Sequence, residues 1–143
     1  MPVSVHQTST KLLNEELNCP TTSQSRRREI RDELKRRKDQ QLIALFNGGK
    51  MTALTALQQI IRHKFPDLED CPTTLTQCRK QLQRHHINIY DFLEWLTGEV
   101  DSLYTCRSNA ALYNRCRKKG FFPLDEAKHA PELKVLLEVL LKN

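Results

Sequence analysis

Apolar residues recur every three or four positions in several stretches of this chain, and that spacing is the strongest constraint on its fold. The last stretch is the clearest: Leu133, Leu136, Leu137 and Leu140 share one face of a helix that starts at Pro131. Glycine is scarce, at four residues, while strong helix formers are plentiful. The sequence therefore predicts an all-α fold: a compact bundle of about five or six helices, with a flexible N-terminal arm and a basic charged helix.

The composition changes along the chain and predicts three segments. Residues 1–24 are rich in Thr, Ser and Pro and are expected to form a flexible N-terminal arm that contains one short helical pattern. Residues 25–46 are expected to form the basic charged helix, polar nearly all round in its first half and anchored in a core only at its end. Residues 47–143 are expected to form the helical domain.

Polar residues at several segment starts predict helix caps, because their side chains can accept a hydrogen bond from a free backbone N–H. These caps are Thr52, Thr74, Asn88 and Ser108. Thr74 and Gln77 fit a capping box, in which two side chains satisfy two free donors. The nearly continuous apolar run from Ile87 to Leu96 predicts the centre of the core. A short strand at 87–90 is an alternative for which no partner strand is visible.

The basic charge of the chain is concentrated in one segment. Residues 26–38 contain eight basic and three acidic residues, whereas the rest of the chain contains 15 basic and 14 acidic residues. The segment is therefore predicted to contact nucleic acid or to direct nuclear import. The basic residues in question are Arg26, Arg27, Arg28, Arg31, Lys35, Arg36, Arg37 and Lys38.

Three interpretations of this segment compete. In a helix, Arg27, Arg31, Lys35 and Lys38 would share a face that can lie along a phosphate backbone. The run 35–38 also fits the short basic cluster of a nuclear localisation signal. The third interpretation is a solvated helix in which acids pair with cations three or four residues away. All three stay open on the sequence alone.

A second polar stretch is the best candidate outside the basic segment for contact with base edges. It runs from 77 to 84 and offers the Arg and Gln side chains that such contacts use. Its members are Gln77, Arg79, Lys80, Gln81, Gln83 and Arg84. Any solvent-facing helix surface has a similar composition, so the stretch does not decide the function.

No cofactor, metal site or catalytic site is predicted. Cys71 and Cys78 are seven residues apart, and His85 follows after the same interval, whereas structural zinc sites use pairs two to four residues apart. No thiol or hydroxyl is placed beside a base. With five cysteines and no apolar leader at the N-terminus, we expect reduced thiols in a nuclear or cytoplasmic protein that is not secreted.

The aromatic residues of the second half are expected to be core residues rather than a platform for stacking bases. They are Tyr90, Phe92, Trp95, Tyr104, Tyr113, Phe121 and Phe122. The final helix is more apolar than one buried face requires. It either lies deep in the core or presents a second face to a partner.

Three motifs of the second half resemble those of a group of small uncharacterised proteins from filamentous fungi. The motifs are Thr-Leu-Thr-Gln-Cys-Arg at 74–79, His-Ile-Asn-Ile-Tyr-Asp-Phe-Leu at 86–93 and Gly-Phe-Phe-Pro-Leu-Asp-Glu-Ala-Lys at 120–128. The resemblance covers about half of the chain. It implies a fungal source, and it implies no activity because that group has none to transfer.

Together these patterns favour a non-enzymatic nuclear regulatory or adaptor protein. Its helical domain would bind another protein, and its basic segment would direct nuclear import or add electrostatic affinity. One alternative is a DNA- or RNA-binding protein that places the basic helix on phosphates, and the third hypothesis is a small helical enzyme. No membrane partner is expected, since no apolar run is long enough to span a bilayer. The oligomeric state is left open.

Overall fold

The computed structural model describes residues 4–142, apart from the side chains of Leu124 and Lys142. The described chain is helical, and the all-α prediction is confirmed. One 3-10 turn, Val5–Gln7, precedes the α-helices. These are α1 Thr10–Leu17, α2 Gln24–Phe46, α3 Ala53–Lys64, α4 Leu75–Gln81, α5 Ile89–Leu96, α6 Asn109–Lys119, α7 Leu124–Ala127 and α8 Pro131–Lys142. Met1 to Val3 of the predicted arm and Asn143 of the predicted helical domain lie outside the described residues.

The chain divides into two compact units, residues 1–41 (unit 1) and residues 42–143 (unit 2). The division falls inside α2, whereas the sequence placed boundaries at 24 and 46. The difference has a physical cause. The first turns of α2 share a small apolar cluster with α1, while Leu42 and Phe46 near its end belong to the main core of unit 2.

Unit 1 is held by a small apolar cluster between α1 and α2. Leu13 and Ile30 are fully buried there, and Leu17 and Leu34 pack against them. Ser9 caps α1, its hydroxyl accepting from the Leu12 N–H at 3.3 Å. The expectation that α2 is anchored in a core only at its end is therefore wrong, because its first half is anchored as well. Its apolar residues are few, but α1 covers them.

Unit 2 is built around α3, which contacts both α4 and α8, while α7 contacts α8. The predicted centre of the core is confirmed: Ile87, Phe92 and Leu93 are buried. The final helix belongs to this core too. Its buried residues are Leu133, Leu136, Leu137, Val139 and Leu140. In the part of the chain that the structure describes, no helix combines the length and apolar character needed to cross a bilayer.

The four predicted caps are confirmed. Thr52 accepts from Thr55 N at 3.1 Å, Thr74 from Gln77 N at 3.2 Å, and Ser108 from Ala111 N at 3.1 Å. Asn88 Oδ1 accepts from Tyr90 N at 2.9 Å, so 88–90 starts a helix rather than a strand. The capping box is off by one residue, because the Gln77 side chain accepts from Thr73 N at 3.2 Å.

Asn88 and Asp91 also join α5 to α6. The buried Asn88 amide donates to Gly120 O and to Cys116 Sγ, both at 3.2 Å. Arg115 donates two hydrogen bonds of 2.8 Å to the Asp91 carboxylate, and Lys119 Nζ lies 3.8 Å from the same carboxylate. One turn of α5 thus both caps its own helix and fixes α6.

We expect the Asn88→Ala variant to lower the free energy of unfolding by about 2 kcal/mol. The substitution removes the cap of α5 and leaves the Gly120 carbonyl without its donor. Urea unfolding followed by the fluorescence of Trp95 measures the loss. The matched control is Ser108→Ala, which removes an exposed cap and costs about 1 kcal/mol. Equal losses in the two variants would show that the link to α6 contributes nothing.

Candidate nucleic-acid interface on helix α2

All eight basic residues of the predicted site lie on the unit 1 part of α2. The helix starts after Ser23, whose hydroxyl accepts from Arg26 N at 3.1 Å. The structure gives each cation a definite environment. Four of the arginines are engaged within the unit, and the other two, Arg28 and Arg31, are exposed.

Two arginines at the start of α2 hold the end of α1. Arg26 forms two hydrogen bonds with the Glu16 carboxylate, at 3.0 and 3.1 Å, and these raise the pKa of the guanidinium. Arg27 donates to the backbone carbonyls of Leu17, Cys19 and Thr22, at 3.0, 2.8 and 3.1 Å. The Leu17 carbonyl lies at the end of α1, where carbonyls lack helical partners, so Arg27 caps α1 there and also holds the segment that connects α1 to α2.

A second pair, Arg36 and Arg37, converges on Glu33, a carboxylate that is only 2 % exposed. Arg36 Nε lies 2.7 Å and Arg37 Nε 3.2 Å from its oxygens. His6 lies 3.1 Å from the same group. The hydrogen bond from Arg36 is the largest of the effects that lower the pKa of Glu33 to about 2. The carboxylate is therefore ionised wherever the protein is folded near neutral pH.

Arg37 extends this cluster to the chain that precedes α1. It donates to Val5 O at 2.9 Å, to Thr8 O, and to Thr10 Oγ1 at 3.0 Å. The residues before α1 are thus tied to α2 by a side chain from within the basic segment. Composition alone predicted that this part of the chain is a flexible arm, and it gave no sign of these bonds.

The remaining four basic residues form a stripe, which we call the α2 stripe: Arg28, Arg31, Lys35 and Lys38. Their spacing of three, four and three residues places them on one side of the helix. Arg28 and Arg31 are exposed, and within residues 4–142 neither forms an ion pair. Lys35 donates to Asp39 at 3.1 Å. The predicted face contained Arg27 in place of Arg28, and Arg27 is engaged with carbonyls.

The second candidate stretch, 77–84, is not one helix face. Helix α4 ends at Gln81, so Gln83 and Arg84 lie in the turn that follows it. The Gln77 side chain is occupied by Thr73 N. An α-helix of seven residues, in which the Gln77 amide is already engaged, has few side chains left to contact base edges in a DNA groove. The cations of the stretch remain exposed, namely Arg79, Lys80 and Arg84.

The thiols differ in their environments. Burial raises the pKa of Cys78 and of Cys106, so both are protonated at neutral pH. The Thr21 hydroxyl, 3.1 Å from the Cys19 sulfur, lowers the pKa of that partly exposed thiol. Among the described residues, no group of three or more His, Cys, Asp or Glu side chains is arranged to hold a metal ion.

The aromatic residues were predicted to be core residues, and three of them are not. Tyr104, Tyr113 and Phe121 are 52 %, 59 % and 52 % exposed. The rings of Tyr113 and Phe121 lie against each other, with centroids 5.9 Å apart. The Arg115 guanidinium lies 4.0 Å from the centroid of the Tyr104 ring. Helical spacing could not separate these residues from the core, because Tyr104 and Phe121 lie outside the helices and spacing alone does not show which side of α6 faces solvent at Tyr113.

No protein-family model matches this chain, and no curated protein or solved structure matches it either. The resemblance to fungal proteins stays a prediction.

The Glu33→Gln variant tests how far unit 1 depends on its buried carboxylate. We expect amide hydrogen exchange in α1 to report a loss of about 2 kcal/mol in the free energy of opening, because two arginines lose a charged acceptor. The control is Glu29→Gln, whose side chain is 58 % exposed and lies 3.5 Å from Arg26. This variant should lose less than about 0.5 kcal/mol.

The pH dependence of the same exchange has a definite sign. The pKa of Glu33 falls from its ordinary value of 4.5 to about 2 on folding. Its contribution is therefore complete above about pH 5 and is lost as the pH falls from 4.5 towards 2. Protection of α1 should decline over this range in the native chain and less so in Glu33→Gln. Equal declines would show that Glu33 does not hold α1 in place.

Proposed function

We propose that this protein is a non-enzymatic nuclear regulatory or adaptor protein that acts by binding. Unit 2 binds another protein, and the α2 stripe adds electrostatic affinity for the phosphates of nucleic acid. The observation that carries the proposal is the exposure of Arg28 and Arg31 on one side of an ordered helix, while the neighbouring arginines are engaged.

The α2 stripe suits a phosphate backbone in its length and its chemistry. From Arg28 to Lys38 the helix rises by about 15 Å, which is several phosphates along a strand. Arginine can donate two parallel hydrogen bonds to a phosphate. Arg26 and Arg37 are already bound to groups of unit 1, so the helix surface is fixed before a ligand arrives. A fixed surface loses less entropy on binding.

The aromatic pair of unit 2, Tyr113 and Phe121, supports the protein-binding part of the proposal. Their two rings together form an exposed apolar area next to Arg117, one turn after Tyr113 on α6. Aromatic and arginine side chains are enriched at the centres of protein interfaces. A protein partner that buried this pair would remove two large exposed rings from water.

The environments of the titratable groups favour binding over catalysis. The Asp91 carboxylate is held by two hydrogen bonds from Arg115, and Glu33 is held by Arg36 and Arg37. Both carboxylates are therefore engaged by arginines. Burial raises the pKa of the Cys106 thiol, which makes it a poor nucleophile. These two carboxylates hold the fold, and the buried Cys106 thiol is not activated.

The Arg28→Ala/Arg31→Ala variant tests the α2 stripe. Because two phosphate contacts are lost, binding to duplex DNA should weaken. The slope of log K against log salt should fall by about 1.8. Fluorescence anisotropy at several salt concentrations measures both quantities. The control is Lys128→Ala/Lys134→Ala, which removes the same charge from exposed positions of unit 2. If the two variants lose equally, the affinity comes from net charge alone.

Arg36 and Arg37 are unsuitable for this test, although they stand in the densest part of the basic segment. Replacing them would leave the buried Glu33 carboxylate without its main donors, at a cost of several kcal/mol. Such a variant would lose binding whether or not its arginines contact phosphates. The exposed pair Arg28 and Arg31 avoids this difficulty.

Photo-crosslinking tests the aromatic pair. A benzophenone amino acid replaces Tyr113 or Phe121 in the full chain, and in the control it replaces Glu138, an exposed residue of α8. We expect positions 113 and 121 to capture the same protein from nuclear extract and position 138 not to capture it. The partner identified by mass spectrometry should then bind the purified chain, and Tyr113→Ala/Phe121→Ala should weaken that binding. Identical adducts from all three positions would contradict the proposal that this pair forms a binding surface.

A further inference from the structure

A second basic surface lies in unit 2, around the bridge between His86 and Cys106. The two backbones exchange hydrogen bonds of 2.8 and 2.7 Å and run antiparallel. Because the two segments are antiparallel, the residue before His86 lies opposite the residue after Cys106, so His85 faces Arg107. The turn after α4 and the segment 103–107 are therefore held side by side.

The end of α3 reaches the same place. The ring of Phe65 meets His85 edge-on, with centroids 5.1 Å apart. The neighbouring Lys64 donates from its Nζ to the Leu103 carbonyl. Three segments that are distant in sequence thus bring Lys64, His85 and Arg107 together.

Carboxylates are missing from the segment that supplies Arg84 and His85. No Asp or Glu occurs between Cys71 and Tyr90, while Arg84 is exposed next to His85. Neither Arg84 nor Arg107 forms an ion pair with any described residue. Burial lowers the pKa of His85, and the charges of Lys64 and Arg107 lower it further. This contrasts with α2, where carboxylates engage half of the cations.

An aromatic ring stands beside these cations. Tyr104 is three residues from Arg107, which limits the distance between their Cα atoms to about 10 Å. The Arg115 guanidinium lies over its ring, 4.0 Å from the ring centroid, and Asp91 holds that guanidinium in place by a hydrogen bond. The side chain nevertheless keeps half of its surface exposed. Tyr104 is therefore a supported ring with room for a second planar group.

We propose that this surface, comprising Arg84, His85, Tyr104 and Arg107, binds single-stranded nucleic acid. One base stacks on Tyr104, and Arg84 and Arg107 hold the phosphates on either side of it. A stacking ring with separate cations suits an unpaired strand, since bases inside a duplex have no free face. An acidic peptide would use the cations and would leave the ring without a role. This inference rests on the proposed binding to nucleic acid. It adds that the nucleic acid is single-stranded and that a second binding surface lies in unit 2.

The test uses the full chain, a 15-nucleotide oligo(U), the equivalent oligo(dT) and a 15-base-pair duplex. Binding is measured by fluorescence anisotropy at 50 and 200 mM salt. The Tyr104→Leu variant keeps an apolar side chain and removes the stacking face. It should bind both single strands about tenfold more weakly. The Tyr104→Phe variant should bind like the native chain, and Tyr113→Leu is the control for loss of an exposed ring elsewhere.

The Arg84→Ala/Arg107→Ala variant addresses the phosphates. Its affinity for single strands should fall, and its salt slope should fall by about 1.4. The control Arg117→Ala/Lys118→Ala removes two exposed cations of α6 and should lose less. A melting curve for each variant checks that the fold is kept.

The outcomes separate this inference from the proposed function. If Arg28→Ala/Arg31→Ala weakens binding while the Tyr104 and Arg84/Arg107 variants behave like their controls, the α2 stripe stands and the second surface is wrong. If the unit 2 variants weaken single-strand binding and Arg28→Ala/Arg31→Ala loses no affinity for duplex or single strands beyond its control, the second surface stands and the α2 stripe is wrong. If the native chain binds no oligonucleotide at either salt concentration, both are wrong. A preference for duplex, unchanged by Tyr104→Leu, would also overturn the inference.

Discussion

The buried carboxylate of Glu33 is the interaction on which unit 1 depends. A charge removed from water needs donors, and here Arg36, Arg37 and His6 surround it. Arg37 then carries the connection onward to the carbonyls of Val5 and Thr8. The basic segment is therefore partly an internal framework. Unit 1 has nine basic and six acidic residues, so its excess charge is smaller than that of segment 26–38 alone.

How much the sequence could predict depended on how local each interaction is. The caps at Thr52, Asn88 and Ser108 were predictable because each involves a side chain and an N–H two or three residues away. The buried stripes of α3, α5 and α8 were predictable for a similar reason, since the residues of each stripe are only three or four positions apart in sequence.

The environments of the candidate site residues could not be predicted in this way. Arg27 reaches carbonyls five to ten residues before it, and Arg37 reaches Val5, 32 residues away. Nothing in the local pattern distinguishes these two from Arg28 and Arg31, which remain exposed. The exposed ring of Tyr104 lies two residues before the bridge between His86 and Cys106, a contact across twenty residues. Only the three-dimensional arrangement separates cations that hold the fold from cations that can hold a ligand.

The distinction between engaged and exposed cations also affects the nuclear localisation hypothesis. A linear signal is read from a chain whose side chains are all available to the receptor. In the run 35–38, Arg36 and Arg37 hold Glu33, and Lys35 is bonded to Asp39. Presenting this run as an extended peptide would break those bonds and leave Glu33 without donors. Import through this run therefore requires unit 1 to open locally, whereas phosphate binding by the α2 stripe requires it to stay folded. The two proposed roles of the basic segment would draw on opposite states of unit 1, and the stability that Glu33 gives to α1 would set the balance between them.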